Sequence, residues 1–142
     1  MRPRAIRSAE RGSVSVEIAV VAPAFVFLLL LVVYVGKVSE ADGNVQRAAS
    51  EAARAASLRQ HPADATTDAV DTATQNLSRA GVPCIDLDTQ VDTSDFRAGG
   101  TVTVTVNCRA SMAEVTLLGV PGTRTFTATV VEVVDTYRGG DP

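Results

Sequence analysis

An unbroken apolar run near the N-terminus dominates the hydrophobic pattern of the chain. Residues Ile18–Val35 are eighteen consecutive positions without a charged side chain, and thirteen of them are Val, Ile, Leu or Phe. In hydrocarbon a chain must satisfy its backbone polar groups internally, so this run predicts a transmembrane helix, which we place at residues 13–36. A cleaved secretory signal is disfavoured, because its apolar region is about 7 to 15 residues long and a small-residue cleavage site follows it.

The helical pattern continues beyond the apolar run. Small apolar residues recur at alternating spacings of three and four, opposite a polar face; they are Val38, Ala41, Val45, Ala48, Ala52 and Ala55. We therefore predict one helix from near Val14 to near Leu58, with a transmembrane half and a soluble amphipathic half. Pro23 removes a backbone hydrogen bond and is expected to kink the membrane half. The stripe packs either on the protein's own globular part or against other subunits.

A second amphipathic helix is predicted over Ala63–Ala80. Pro62 and Asp64 suit its start, and Gly81 followed by Val82-Pro83 suits its end. The residues expected on its apolar face are Ala65, Ala69, Val70, Ala73 and Leu77.

The pattern then changes to the two-residue period of β-strands. Leu87, Thr89 and Val91 alternate with polar residues, and the valines of Thr101–Asn107 share one face. The turn-rich segment between these two strands favours a hairpin. The sequence thus predicts two adjacent antiparallel strands.

A third strand is predicted over Arg124–Tyr137, where β-branched residues dominate and Phe126, Ala128, Val130 and Glu132 or their neighbours alternate in facing. A short helix is expected over Ser111–Leu118. Three strands with one apolar face need a cover, which the amphipathic helices supply. The predicted fold class is therefore α+β: a long N-terminal helix, a second helix and a three-stranded antiparallel meander.

Charge is distributed unevenly along the chain. Residues 1–12 hold four arginines and one glutamate, a net charge of +3, whereas residues 13–142 hold nine basic and fifteen acidic residues, a net charge of −6. Arginines before a span keep that end in the cytoplasm, so residues 1–12 are expected to be a basic cytoplasmic leader. Residues 37–142 become an extracytoplasmic α+β domain, helical over 37–80 and β-rich over 84–138. Its acidity argues against nucleic-acid binding.

The two cysteines, Cys84 and Cys108, both lie on the predicted outer side, where an oxidising compartment lets a disulfide persist. They flank the predicted hairpin and are expected to lie close together across it. Such a bond would stabilise a domain of this size by roughly 3 to 4 kcal/mol. Two separate thiols and pairing between chains are the alternatives.

Catalytic and metal-binding motifs are absent from the sequence. His61 is the only histidine, and no nucleophile elbow, phosphate-binding loop or zinc-protease motif occurs. The alternating carboxylates Asp86, Asp88 and Asp92 suit either weak calcium binding or a solvated strand face. We expect neither a cofactor nor a resident metal, and we do not expect an enzyme; a membrane-anchored hydrolase is the least favoured reading.

The segment before the apolar run carries the most specific signal. Arg11-Gly12-Ser13-Val14-Ser15-Val16-Glu17, followed at once by an apolar helix that contains Pro23, resembles the processing region of type IV pilin-like precursors. Over about residues 11–58 the chain is similar to the TadE-like family, minor pilins or pseudopilins of tight-adherence, Flp-type pili. Two features depart from the wider group: no aromatic residue follows Gly12, and Ile18 replaces the tyrosine of major Flp pilins.

The resemblance implies an assembly protein rather than an enzyme. By similarity, a prepilin peptidase would cut between Gly12 and Ser13, and the chain would join a pilus or secretion pseudopilus. Implied partners are other pilins or pseudopilins, the prepilin peptidase, the inner-membrane assembly platform and membrane lipid. The implied location is the bacterial cell membrane, single-pass with the N-terminus cytoplasmic, with incorporation into a surface pilus as a later state. The alternative is an uncleaved single-pass protein with an extracytoplasmic binding domain.

Glu17 has two interpretations. As position five of a cleaved chain, its carboxylate would pair with the new Ser13 α-amine, within one chain or between adjacent subunits, and set the register of assembly. Alternatively it lies at the headgroup boundary near a helix N-terminus, where the helix dipole favours a negative charge by about 0.3 to 1 kcal/mol.

Overall fold

The computed structural model describes the backbone of residues 11–112 and 122–137 and the side chains of residues 16–112 and 122–137. Five elements follow in chain order: α1 (Arg11–Ser57), α2 (Pro62–Arg79), β1 (Cys84–Asp95), β2 (Thr101–Ser111) and β3 (Thr123–Val133). The chain divides after Lys37 into two compact units, Met1–Lys37 and Val38–Pro142. We call the described part of the second unit the head. The predicted α+β fold class is confirmed.

Helix α1 is 47 residues long and contains Pro23. Its bounds lie within three residues of the predicted ones, Val14 and Leu58. In proteins most of the stability of a helix comes from the packing of its apolar side chains rather than from intrinsic propensity.

The part of α1 that belongs to the head contributes small side chains to its core. The buried residues are Val45, Ala48, Ala49, Ala52, Ala53 and Ala56. This face is wider than the predicted stripe: Ala49, Ala53 and Ala56 belong to it, whereas Ala55 is only half-buried. Of the two alternatives for the stripe, packing on the protein's own globular part therefore holds for Val45–Ala56. A globular contact buries a broader band than a narrow coiled-coil seam does, which explains the difference.

Helix α2 begins at Pro62, where proline's missing N–H is not needed, and contributes Ala65, Ala69, Ala73 and Leu77 to the core. The prediction was wrong for Val70, which is 37% exposed. At the C-terminal end, Gly81 N–H donates to Ser78 O and Val82 N–H to Leu77 O. Gly81 has a φ of +70°, as this two-bond helix stop requires. The end signal read from the sequence is therefore realised by backbone geometry.

The three strands form one antiparallel sheet in the order β1-β2-β3, as the predicted meander requires. Alternation along β2 is complete: Val102, Val104, Val106, Cys108 and Ala110 are buried, and the residues between them are not. Phe126 and Ala128 of β3 are buried on the same face. This inner face and the two helices enclose the core, while the outer face of the sheet stays in solvent.

Several predicted strand ends differ from the structure; β2, for example, extends to Ser111. Strand β1 already begins at Cys84 and extends to Asp95, so the β1–β2 connection is shorter than expected. Strand β3 ends at Val133 rather than Tyr137. Val134 still exchanges backbone hydrogen bonds with Gly99 and Gly100, and the Asp135 carboxylate then accepts the Tyr137 N–H in a turn.

The short helix predicted over Ser111–Leu118 was wrong at its start, since Ser111 is the last residue of β2. Backbone pairing with Thr123 keeps Ser111 in the sheet. Residues 113–118 of that prediction lie outside the described residues.

Cys84 and Cys108 are joined in a disulfide, with their Cα atoms 5.4 Å apart. Cys84 is paired in the sheet with Ala110, whereas Cys108 lies opposite Leu87, so the bond runs diagonally between β1 and β2. Cys108 is fully buried. The disulfide therefore belongs to the core face of the hairpin.

Two glycines of the head provide a matched test of this backbone description. A Cβ at Gly81 or at Gly43 would meet no atom within 4 Å, but only Gly81 has a positive φ. We expect Gly81→Ala to lower the free energy of unfolding by about 1 kcal/mol, because of the left-handed conformation, and Gly43→Ala to raise it by roughly 0.5 to 1 kcal/mol, because α1 is helical there. Urea unfolding of the full chain in detergent, followed by protease resistance of the head, measures both. If the free energy of unfolding changes in the same direction in both variants, the left-handed conformation of Gly81 or the helical conformation of Gly43 is contradicted.

Candidate membrane and assembly segment

The apolar run Ile18–Val35 forms one continuous helical stretch of α1. At 1.5 Å per residue, eighteen residues extend about 27 Å, close to the ~30 Å thickness of a bilayer's hydrocarbon core. The helix is long and apolar enough to cross a membrane, and none of its apolar window is buried within the chain. It therefore fits membrane anchoring.

The side chains of this run are uncovered over its whole circumference. Ile18 is 61% exposed and Leu31 43% exposed, and among the residues between them and up to Val35 only Tyr34 is half-buried. Soluble monomers rarely expose a contiguous apolar surface of this extent. The run is therefore suited to an apolar environment such as lipid.

Glu17 lies immediately before the apolar run, and its side chain is exposed. Pro23 follows six residues later, roughly 9 Å along the helix axis. Proline has no backbone N–H, so the carbonyl of Ala19 lacks its usual donor four residues on. The structure keeps α1 helical through Pro23; the expected kink stays a prediction.

Gly12 and Ser13 lie in the first turn of α1. Ser13 and Glu17 are four residues apart, a spacing that places neighbouring Cβ atoms about 5 to 6 Å apart on one helix face. This spacing separates the backbones of Ser13 and Glu17 by about one helical turn. Most of the predicted leader, residues 1–10, lies outside the described residues.

The described part of the head contains no group of three His, Cys, Asp or Glu side chains that could hold a metal ion. His61 is exposed and precedes α2 without capping it through its side chain. Of the carboxylates considered for calcium, Asp88 accepts a hydrogen bond from Gln90 and Asp92 accepts one from the Ser94 backbone N–H. The bond from Ser94 lowers the pKa of Asp92. These carboxylates make local contacts on a solvated strand face.

One surface was missed by the sequence reasoning, although its signal was present. The odd-numbered positions of β2 and β3 place hydroxyl side chains on the outer face of the sheet, where Thr105 and Thr129 share a hydrogen bond of 3.0 Å and Thr127 donates to Asn107 at 2.8 Å. The alternating threonines of both strands already predict this face. It is a polar, hydrogen-bonded surface.

Comparison with known proteins supports the resemblance of the N-terminal segment to the TadE-like family. The family model described as TadE-like protein matches residues 12–54, and this confirms the resemblance drawn from the sequence. The match indicates a pilus-associated protein. No curated protein and no solved structure matches the chain.

Two valine-to-arginine substitutions, at valines of similar exposure, test whether the apolar run anchors the chain in a membrane. Val26 lies near the middle of the apolar run and is 54% exposed, and Val131 of the head is 57% exposed. Arginine at the centre of a span costs about 3 kcal/mol more than valine, so Val26→Arg should sharply reduce the fraction of chain that stays in membranes after alkaline extraction. Val131→Arg should leave that fraction unchanged. Equal losses in the two variants, or extraction of the unsubstituted chain, contradict a spanning segment.

Proposed function

From the match of residues 12–54 to the TadE-like family, we propose that the chain is a pseudopilin, or minor pilin, that takes part in assembling a tight-adherence or type IV-like pilus or a secretion pseudopilus. The observation that carries the proposal is the uncovered apolar helix inside the matched segment. Such a helix suits two successive environments, first lipid and then a bundle of similar helices.

The proposed location follows from the charges around the span. The arginine-rich leader stays in the cytoplasm, residues 13–36 cross the bacterial cell membrane, and residues 37–142 lie outside the cytoplasm. The disulfide of the head supports the outer location, because disulfides persist in oxidising compartments. In this arrangement the Gly12–Ser13 bond lies at the cytoplasmic face, where a prepilin peptidase would cut it.

Assembly from lipid needs more than apolar contact. Lipid tails are as apolar as valine and leucine, so helix association in a bilayer depends on close packing and on polar groups rather than on the hydrophobic effect. Glu17 is the acidic residue that borders the apolar run. Once Ser13 becomes the N-terminus, its ammonium group gives the Glu17 carboxylate an opposite charge to pair with, and each charge lowers the cost of burying the other.

The proposed partners follow from these steps. The prepilin peptidase acts on the leader, the inner-membrane assembly platform moves the processed chain, and other pilins or pseudopilins receive its apolar helix. An uncleaved single-pass protein with an extracytoplasmic binding domain is the competing function, and the two differ in the mature N-terminus.

The N-terminus of the membrane-bound protein is the direct test. Intact mass and Edman sequencing of chain isolated from cells that contain a prepilin peptidase should show a mature start at Ser13. Deleting the peptidase should restore the leader. A chain that begins at Met1 or Arg2 while the peptidase is present supports the uncleaved anchor and ends the pseudopilin proposal.

The role of Glu17 is tested separately by removing its charge at constant shape. Glu17→Gln should reduce the amount of this chain in sheared filaments by about tenfold or more, as loss of a buried charge pair implies. Glu51→Gln, an exposed glutamate farther along α1, serves as the control and should not change it. Cleavage should be scored in each variant, so that a processing defect is distinguished from an assembly defect. Normal incorporation of a cleaved Glu17→Gln chain refutes the registry role.

A further inference from the structure

Strand β1 begins with an irregularity that involves the disulfide. Cys84 is paired with Ala110 and Asp86 with Arg109, so Ile85 is an extra residue without a partner on β2. This is a β-bulge, in which two residues of one strand oppose one residue of the other. The side chain of Ile85 is 56% exposed, whereas Cys84 packs against the core.

The bulge decides which of these two side chains faces inward. Asp86 and Arg109 lie on the outer face, and Ala110 lies on the inner face. In a regular strand the residue next to Asp86 would be opposite Ala110 and would point inward. That residue is Ile85, and Cys84 would then lie on the outer face, away from the buried Cys108.

The disulfide and the burial of Ile85 therefore require different registers. The bulged register permits the Cys84–Cys108 bond but leaves a large aliphatic side chain in water. The regular register buries isoleucine in place of cysteine, and this favours the regular register because more apolar area is removed from water. It also removes the break in the ladder at this end of β1. The covalent bond is what offsets these losses in the observed state.

We propose that the Cys84–Cys108 disulfide holds β1 in the bulged register, and that the reduced head shifts this end of β1 by one residue, so that Ile85 turns inward and Cys84 turns outward. A shift of one residue moves the start of β1 by about 3.3 Å, the rise of one strand residue, and the segment before the strand must accommodate this displacement. That segment is short, and it starts at Gly81, which has a positive φ and, as a glycine, a wide range of accessible backbone conformations. The register at the start of the edge strand β1 therefore depends on whether the disulfide is oxidised or reduced.

The redox step is an ordinary thiol–disulfide exchange. A dithiol such as dithiothreitol breaks the Cys84–Cys108 bond, is itself oxidised to a cyclic disulfide, and transfers two electrons and two protons to the cysteine sulfurs. In the shifted register the Cys84 thiol lies on the solvent side and Cys108 stays in the core. Reoxidation by a disulfide-bonded oxidant reverses these changes and restores the bulge.

Thiol accessibility tests the shift directly. The full chain in detergent is reduced with dithiothreitol, transferred to reductant-free anaerobic buffer and pulse-labelled with a maleimide, and the labelled cysteines are quantified by peptide mass. We expect Cys84 to react at least about tenfold faster than Cys108 in the folded reduced head, as solvent-side and core positions should differ. Equal slow labelling overturns the proposal. Equal fast labelling also overturns it, because it shows that the reduced head unfolds instead of shifting.

A matched pair of serine substitutions provides a second, independent readout. Ile85 and Val131 are similarly exposed on the sheet, at 56% and 57%. Thermal proteolysis of the full chain should show that Ile85→Ser lowers the midpoint by less than about 3 °C in the oxidised head and by roughly 8 °C or more in the reduced head, where Ile85 is buried. Val131→Ser should give the same small change in both states. If Ile85→Ser is as mild in the reduced head as in the oxidised one, the register does not shift.

Discussion

The exposed apolar side chains of α1 are the constraint on which the rest of the molecule depends. From Ile18 to Val35 the helix presents hydrophobic groups in every direction, and none of its apolar window is buried within the chain. Exposing such a surface to water has a large free-energy cost, so this part of the helix fits an apolar environment such as a membrane. The proposed membrane location and the proposed exchange between lipid and a filament both depend on this condition.

In the head, by contrast, side chains of the same helix are buried in a core. Beyond Val38, α1 buries a face made almost wholly of alanine, against a sheet whose inner face is mainly valine. Each of these small side chains removes little apolar area from water. The disulfide between β1 and β2 adds stability that such a core lacks, which matters for a domain of about a hundred residues.

The sequence predicted the element types and the meander, because strong periodicity marks each of them. The alternation of β2 and the stop signal at Gly81 are local features and appear in the structure as expected. The bulge at Ile85 was not predictable, since it depends on pairing with β2 and on a bond to a residue 24 positions away. The N-terminal segment was recognisable because its motif is linear, whereas the events proposed for Gly12, Ser13 and Glu17 depend on other proteins.

The two edges of the sheet differ in a way that limits uncontrolled growth. Strand β1 is irregular at two places and carries exposed aspartates, whereas β3 pairs with β2 in an unbroken register and carries few charges. Bulges and charges at an edge discourage the addition of a further strand. A chain of heads linked edge to edge would need two receptive edges per copy, and this head offers one. Crowding of these heads, as in the proposed filament, is therefore not expected to link them into a fibre through their sheet edges.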